Sequence, residues 1–200
     1  MTTVTCDMAM SIDGFVAGPN QSLDNPLGEG AGDRLHRWMF EQPDANAAAI
    51  EAITASGAFI MGRNMFGPGR GGWDQRWKGW WGDEPPYHAP VFVLTQHPRE
   101  PVAMQGGTTF TFVTDGIESA MVQAREAAGT ADVAIAGGAQ TVRQYLSAGL
   151  IDELRLHVVP EVLGVGERLL DGVDDLSLEQ LAVSGTDLVA HLSYRVARPG

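Results

Sequence analysis

The chain has 200 residues, 25 acidic against 13 basic side chains and a formal net charge of −12, with 44% apolar and 19% charged residues. Such a chain fits one domain with a full core over residues 1–200, and its acidity argues against a nucleic-acid binder, whose footprint is basic. No apolar run approaches the ~20 residues of a membrane span, no basic-then-apolar leader opens the sequence, Cys6 has no partner for an internal disulfide and no Cys/His spacing marks a metal, so the expectation is a cytoplasmic protein with no membrane partner and no metal.

Val4, Cys6, Met8, Met10 and Ile12 alternate with Thr5, Asp7, Ala9, Ser11 and Asp13, which predicts a strand. A loop with two glycines and a proline follows. There the Asp13 carboxylate either ties down the turn or stands near a substrate. After a polar, glycine-rich stretch to Gly32, Asp33 is placed to cap a short helix through Gln42, with Leu35, Trp38 and Met39 on its inner side. Asp44 caps a second helix whose buried stripe is Ile50, Ile53 and several alanines, and Gly57 ends it. Ala58 to Met61 reads as a short buried strand opening into Gly62-Arg63-Asn64-Met65-Phe66-Gly67. A backbone turn beside a guanidinium fork suits a phosphate there; the simpler reading of Arg63 is a solvated side chain.

Residues 67–89 hold six glycines, three prolines and four of the five tryptophans. So long a loop is usually functional or flexible. Trp73, Trp77, Trp80 and Trp81 either build a local core or oligomer contact, or stack on a flat ring in a pocket. His88 is alone and takes no catalytic role. Val91 to Thr95 is a near-continuous apolar run, which places it mid-sheet, and Thr108 to Val113 predicts another strand. Asp115 and Glu118 read as a capping box for a helix that buries Ile117, Ala120, Met121, Ala124 and Ala128 and stops at Gly129.

Val133 to Ala136 is a short apolar run followed at once by Gly137-Gly138. A helical pattern then places Val142, Tyr145, Leu146 and Leu150 on one side, and Gly149 is its stop. Strand, glycine pair and helix start let a ligand approach the backbone, and the helix end favours a phosphate. The alternative is a tight turn that needs glycine only for its backbone angles. No G-x-G-x-x-G follows this strand, and the chain has no Walker lysine pattern, so an ordinary Rossmann site here and a nucleotide triphosphatase are disfavoured. Leu154, Leu156 and Val158 alternate with Arg155 and His157 up to Pro160. Gly164 to Arg168 is a loop. Leu181 to Val183 and Leu188 to Val196 form a hairpin, with His191 on its solvated face. Strands linked through helices give an α/β protein with a mostly parallel central sheet and a C-terminal antiparallel hairpin. Three strand ends, at Gly62-Arg63, Leu94-Thr95 and Gly137-Gly138, then gather where such sheets bind ligands.

Ser11 to Ala17, Gly62 to Gly67, Val91 to Thr95, Ala136-Gly-Gly-Ala-Gln140 and Leu150-Ile-Asp-Glu-Leu154 resemble, in order and spacing, the dihydrofolate-reductase-like proteins. The subgroup they resemble most is the RibD C-terminal, or riboflavin-biosynthesis reductase, family. The resemblance implies a dihydrofolate-reductase-like mixed sheet flanked by helices, an NADPH cofactor and hydride transfer to a small flat heterocycle. By position it assigns the pyrophosphate to Gly137, Gly138, Ala139, Gln140, Thr141 and Val142. Gly62, Arg63, Asn64 and Met65 fall beside the adenosine end, with Arg63 facing the 2′-phosphate. Leu94 and Thr95 flank the adenosine half, and Ala9, Val16 and Ala17 line the nicotinamide end. Ala136, Asp33 and Trp38 are the substrate-side positions. Riboflavin-pathway members commonly carry a glutamate where this chain has Ala136, and dihydrofolate reductases use a first-helix carboxylate, near Asp33. No proton donor stands out; Asp13 is the first candidate beside bulk water. The expected activity is that of a homodimeric 5-amino-6-(5-phosphoribosylamino)uracil-reductase-like enzyme. The alternatives are a reductase of dihydrofolate or another pterin, and a nucleotide-binding protein without turnover.

Overall fold

The structure, a computed structural model, describes residues 2–69 and 71–197. The alternating N-terminal segment forms β1 (Val4–Ser11), followed by the short β2 (Phe15–Ala17). Helices α1 (Gly32–Glu41) and α2 (Ala47–Thr54) are joined through a 3-10 turn at Asp44–Asn46. Next come β3 (Ala58–Gly62), the single-turn α3 (Arg63–Phe66), the long loop, β4 (Pro90–Leu94), β5 (Val102–Ala103) and β6 (Thr109–Val113). The chain continues through α4 (Ile117–Ala128), β7 (Val133–Gly137), α5 (Ala139–Ser147) and β8 (Glu153–Val159). It closes with β9 (Glu167–Arg168), β10 (Ser177–Gly185) and β11 (Ala190–Ala197).

Nine strands make one sheet in the order β10-β11-β8-β1-β7-β3-β4-β6-β5, and β2 pairs with β9 apart from it. The six inner strands, β8 to β6 in that order, are all parallel. The C-terminal hairpin and β5 supply antiparallel edges. The expected class and hairpin are therefore present. Strand β7 inserts between β1 and β3, so the carboxyl ends of these three lie side by side at a reversal of strand order, where open sheets leave a crevice.

One face of the sheet is covered by α4 and α5. Val4, Cys6, Met8, Ile60, Ile135 and Leu154 pack there against Met121, Ala124, Val142 and Tyr145. The other face carries two separate cores. Phe59, Met61, Phe66, Val91, Val93 and Phe110 meet the tryptophan-rich loop, whose Trp73, Trp77 and Trp81 are half-buried on them. The indole N–H groups of Trp73 and Trp77 donate to the carbonyls of His97 and Phe66 at 2.7 and 2.9 Å. The tryptophans thus build a local core. Farther along the same face, Leu35 and Trp38 of α1 pack on Val159 and Val189. No helix among the described residues is long and apolar enough to cross a membrane.

Helix starts differ most from expectation. Ala31, not Asp33, is the N-cap of α1, and it makes no side-chain cap bond. Asp44 opens the 3-10 turn rather than capping α2, and Gly116 at φ +91° caps α4, so the Asp115–Glu118 box does not form. In each case the preceding chain enters at an angle set by packing, which outweighs about 1 kcal/mol of capping. Helix α2 has no fully buried residue: Ile50 and Ile53 are only half-buried and line the crevice. Gly57 does not end that helix. Its role is close approach, because a Cβ there would stand 2.7 Å from the Cβ of Ala131. Strands β2, β5 and β9 were not foreseen, since two or three residues carry no readable alternation.

Phe110 is fully buried and touches the rings of Phe66, Trp81 and Tyr87. Phe110→Ala is expected to cost about 3–5 kcal/mol of stability, read from urea denaturation. A loss below about 1 kcal/mol would show that the loop tryptophans do not depend on this core.

Candidate functional site

The gap between the two cores on the helix-poor face is an open crevice of about 1260 Å³. Its floor is the carboxyl ends of β1 and β7: Asp7, Met8, Ala9, Ala136 and Gly137. One wall is α1 and α2, with Asp33, His36, Trp38, Met39, Ile50 and Ile53. The other is Gly62 to Met65 with Trp80, Leu94 and Thr95. Gly138, Ala139, Gln140 and Thr141 close one end, and Val16 and Ala17 lie near the floor. The sequence-predicted positions are thus brought together from five strands and loops, with two exceptions. Val142 is on the core-facing side of α5 and fully buried, its N–H bonded to the Gly138 carbonyl. Asp13 is not among the residues lining the crevice.

The glycines shape the crevice end in different ways. A Cβ on Gly62 would lie 2.3 Å from Thr141 Oγ1, so glycine lets the end of β3 pack against α5. Gly137 has φ +118°, a region L side chains rarely adopt. A Cβ on Gly138 would meet nothing within 4 Å. This N-cap has no side chain of its own to occupy the start of α5. A ligand can therefore come directly against the first backbone N–H groups, which lack helical partners. These features fit a phosphate-bearing cofactor.

Arg63 is not a solvated surface residue. Its guanidinium lies 4.0 Å over the Trp73 ring, one nitrogen is 3.4 Å from the Gly72 carbonyl, and Nε is buried without a hydrogen-bond partner. Desolvation pushes its pKa below the usual arginine value. No carboxylate pairs with it among the described residues, so a half-buried cation stands at the crevice wall, suited to an anion.

Asp13 serves structure. Its carboxylate accepts from Ser11 Oγ at 2.6 Å and from the backbone N–H groups of Leu163 and Gly164 at 3.1 and 2.7 Å. These bonds, the serine's foremost, hold its pKa down at about 2. They clamp the loop after β8 onto the β1–β2 turn.

Sequence reading missed the polar floor. Asp7 Oδ1 lies 3.4 Å from His157 Nε2, and both side chains are only about 5–6% exposed. His157 Nδ1 is 2.8 Å from Nδ1 of His191, whose Nε2 is 2.9 Å from Asn46 Oδ1. His191, expected in solvent, instead sits half-buried with its ring edge-on to Trp38. The reason is register: Ala9 pairs with His157, and His157 with His191, on three adjacent strands that α1 covers. The one signal available was that Asp7, His157 and His191 each occupy the polar phase of an alternating strand.

The RibD C-terminal domain profile matches residues 2–190. An uncharacterised protein of Bacillus subtilis strain 168, YyaP, is 25% identical over 176 residues, which is 83% of this chain and 79% of that one. Among solved structures, a Shewanella sp. PV-4 protein described as a riboflavin biosynthesis protein has TM-score 0.66 and 20% identity, covering 98% of this chain and 100% of that one. Acinetobacter baumannii RibD has TM-score 0.64 and 18% identity over 99% of this chain and 59% of that one. Enterococcus faecalis dihydrofolate reductase, complexed with NADP(H), has TM-score 0.61 and 16% identity over 98% and 97%. The fold is dihydrofolate-reductase-like.

The folded Asp13 pKa of about 2 lies below its ordinary 3.8. Its contribution is therefore present above pH 3.8 and is lost as pH falls through about 2. Asp13→Asn should lower the melting temperature at pH 6 and flatten its fall between pH 5 and 2. An unchanged acid limb in the variant would refute the clamp.

Proposed function

Because the chain belongs to the RibD C-terminal domain family, we propose that it is an NADPH-dependent reductase acting on a small flat heterocycle, of the 5-amino-6-(5-phosphoribosylamino)uracil-reductase type. The observation that carries this reading is the convergence of Gly62-Arg63, Leu94-Thr95 and Gly137-Gly138 on one crevice. Gly137 to Thr141 would hold the pyrophosphate against the start of α5. Leu94 and Thr95 would flank the adenosine, and Asn64 and Met65 lie beside it. Arg63, with its unpartnered Nε, would take the 2′-phosphate. Ala9, Val16 and Ala17 leave room for the nicotinamide. When bound, NADPH supplies the hydride, and the protein supplies placement and electrostatics.

The substrate end is built from Trp38, Met39, Ile50 and Ile53, which exclude water from one side of a flat ring. Ala136 puts a methyl group on the floor where riboflavin-pathway relatives commonly have glutamate, so a substrate's polar edge must be met by other groups. One observation favours a pterin as the second reading. Asp33, released from capping, lies in the first turn of α1 and lines the crevice.

Two measurements test this. NADPH absorbance is followed while 5-amino-6-(5-phosphoribosylamino)uracil or dihydrofolate is offered; NADPH binding without oxidation by either opposes the reductase reading and favours a nucleotide-binding role. Arg63→Ala should weaken NADPH about 10- to 100-fold, the range of a lost charge-assisted bond, and NADH by less than about twofold. Equal losses for the two would refute the 2′-phosphate assignment.

A further inference from the structure

One side chain of the tryptophan-rich loop is not absorbed by the local core. Trp73, Trp77 and Trp81 are half-buried on the strands beneath them, whereas Trp80 is 39% exposed and lines the crevice. Its position is nevertheless fixed. The Trp80 indole N–H donates to the Met65 carbonyl at 2.7 Å, next to the bond from Trp77 to the Phe66 carbonyl. Those carbonyls lie in the last residues of the single-turn α3, where helical partners are lacking, so the two indoles cap them. Trp80 is also stacked on Trp81, with ring centres 4.6 Å apart and planes 26° apart. Trp81 stacks in turn on buried Phe110, at 5.6 Å and 20°. Gly79, at φ +97°, lets the chain pass close to Trp81, because a Cβ there would stand 2.8 Å from that ring. Three rings thus run outward from the core to the crevice. Among the described residues, no ring other than Trp81 touches the ring of Trp80.

The surroundings put this ring at the substrate end. Helix α3 has its N-cap, Gly62, against Thr141 of α5, where the phosphates would lie, and Trp80 caps its opposite end. Along the sheet, Phe110 pairs with Val91 near the start of β4, so the stack is set back from Leu94 and Thr95 at the end of that strand. The stack also rises from the helix-poor face, opposite α5. Ala136 packs against the same core and gives that part of the floor a methyl group. The facing wall is the aliphatic one of Ile50 and Ile53.

We propose that Trp80 is the stacking platform for the substrate ring, so that the site selects a flat, conjugated nitrogen heterocycle by its face. The inference rests on the reductase reading and deepens its substrate end. An electron-rich indole favours offset stacking on such a ring, and stacking tolerates differences between heterocycles because each has a π-face. The indole N–H is already engaged by Met65, so Trp80 fixes the plane of the ring and offers its edge no hydrogen bond. Edge recognition falls to other groups, Asp33 among them. Because Trp80 is held before the ligand arrives, little side-chain freedom is lost on binding.

The test is calorimetric titration of 5-amino-6-(5-phosphoribosylamino)uracil and of dihydrofolate into the protein loaded with NADP+, where no turnover interferes. At least one should bind the wild-type protein. Trp80→Ala should weaken that probe about 10- to 100-fold, the range of a lost base–aromatic stack. Trp80→Phe, which keeps the stack and loses the N–H bond to Met65, should stay within about fivefold. NADPH affinity should stay within about twofold in both variants, since neither changes a group at the phosphates. Unchanged probe affinity in Trp80→Ala overturns the proposal, and so does an equal loss of NADPH and probe, which would assign the ring to the cofactor. A Trp80→Ala change in sedimentation without a change in probe affinity overturns it in favour of a contact between copies. Absence of binding of either probe below about 1 mM also overturns it. Oxidation of NADPH is read separately: a probe that binds through Trp80 without being reduced sinks the reductase reading and leaves the platform standing.

Discussion

Everything at the site depends on the burial of β1 on both faces. As a strand inside a parallel sheet it pairs with β8 along its length and with β7 at its start, and parallel strands are stable only when helices or loops cover both sides. Helices α4 and α5 take the face of Val4, Cys6 and Met8. The opposite face, with Thr5, Asp7 and Ala9, must be covered too, and α1 brings Trp38 across it. A carboxylate is thereby drawn into the interior, where it needs a partner. Arg155 and His157, on the adjoining strand, are the groups in reach.

The second constraint is that the helix-poor face is closed from two directions. The tryptophan-rich loop seals the side of β3, β4 and β6, and α1 seals the side of β8 and β11. The two cores do not meet. Between them lie the carboxyl ends of β1, β7 and β3, where strand order reverses. The crevice is therefore a consequence of topology, and the glycines at its end keep it open. Gly62 brings β3 and α5 together, while Gly138 leaves the start of α5 uncovered. One crevice is thus bordered by an apolar wall, a cation held on Trp73 and a buried acid–imidazole pair. These are three different chemical surfaces within one crevice.

Much of this was legible in the sequence, and the reason is local. The runs at 58–61, 91–95 and 133–136 announce buried strands because continuous apolar residues admit few other readings at that length. Gly137-Gly138 announces a turn because other residues resist the angle that Gly137 adopts. Helix caps were misread because Asp33, Asp44 and Asp115 are good caps in isolation, whereas the direction of the entering chain is a tertiary matter. Ile50 and Ile53 look like a core stripe but border an open cavity, since hydrophobic spacing alone does not distinguish a neighbouring helix from a ligand.

By itself the sequence determined the α/β class, the parallel centre, the strand–glycine–helix end of the crevice and the family. Each is encoded in residues close together in the chain, or in an ordered series of such segments. Only the tertiary structure decided what becomes of the polar phase of the alternating strands. His191 reads as solvent-facing, and Asp7 and His157 only as the polar phase of their strands, because alternation says only that two faces differ. Whether the polar face meets water depends on what lies over it, and here α1 lies over it. Residues as far apart as Asp7 and His191 become one buried chain only through strand register, which no single segment carries.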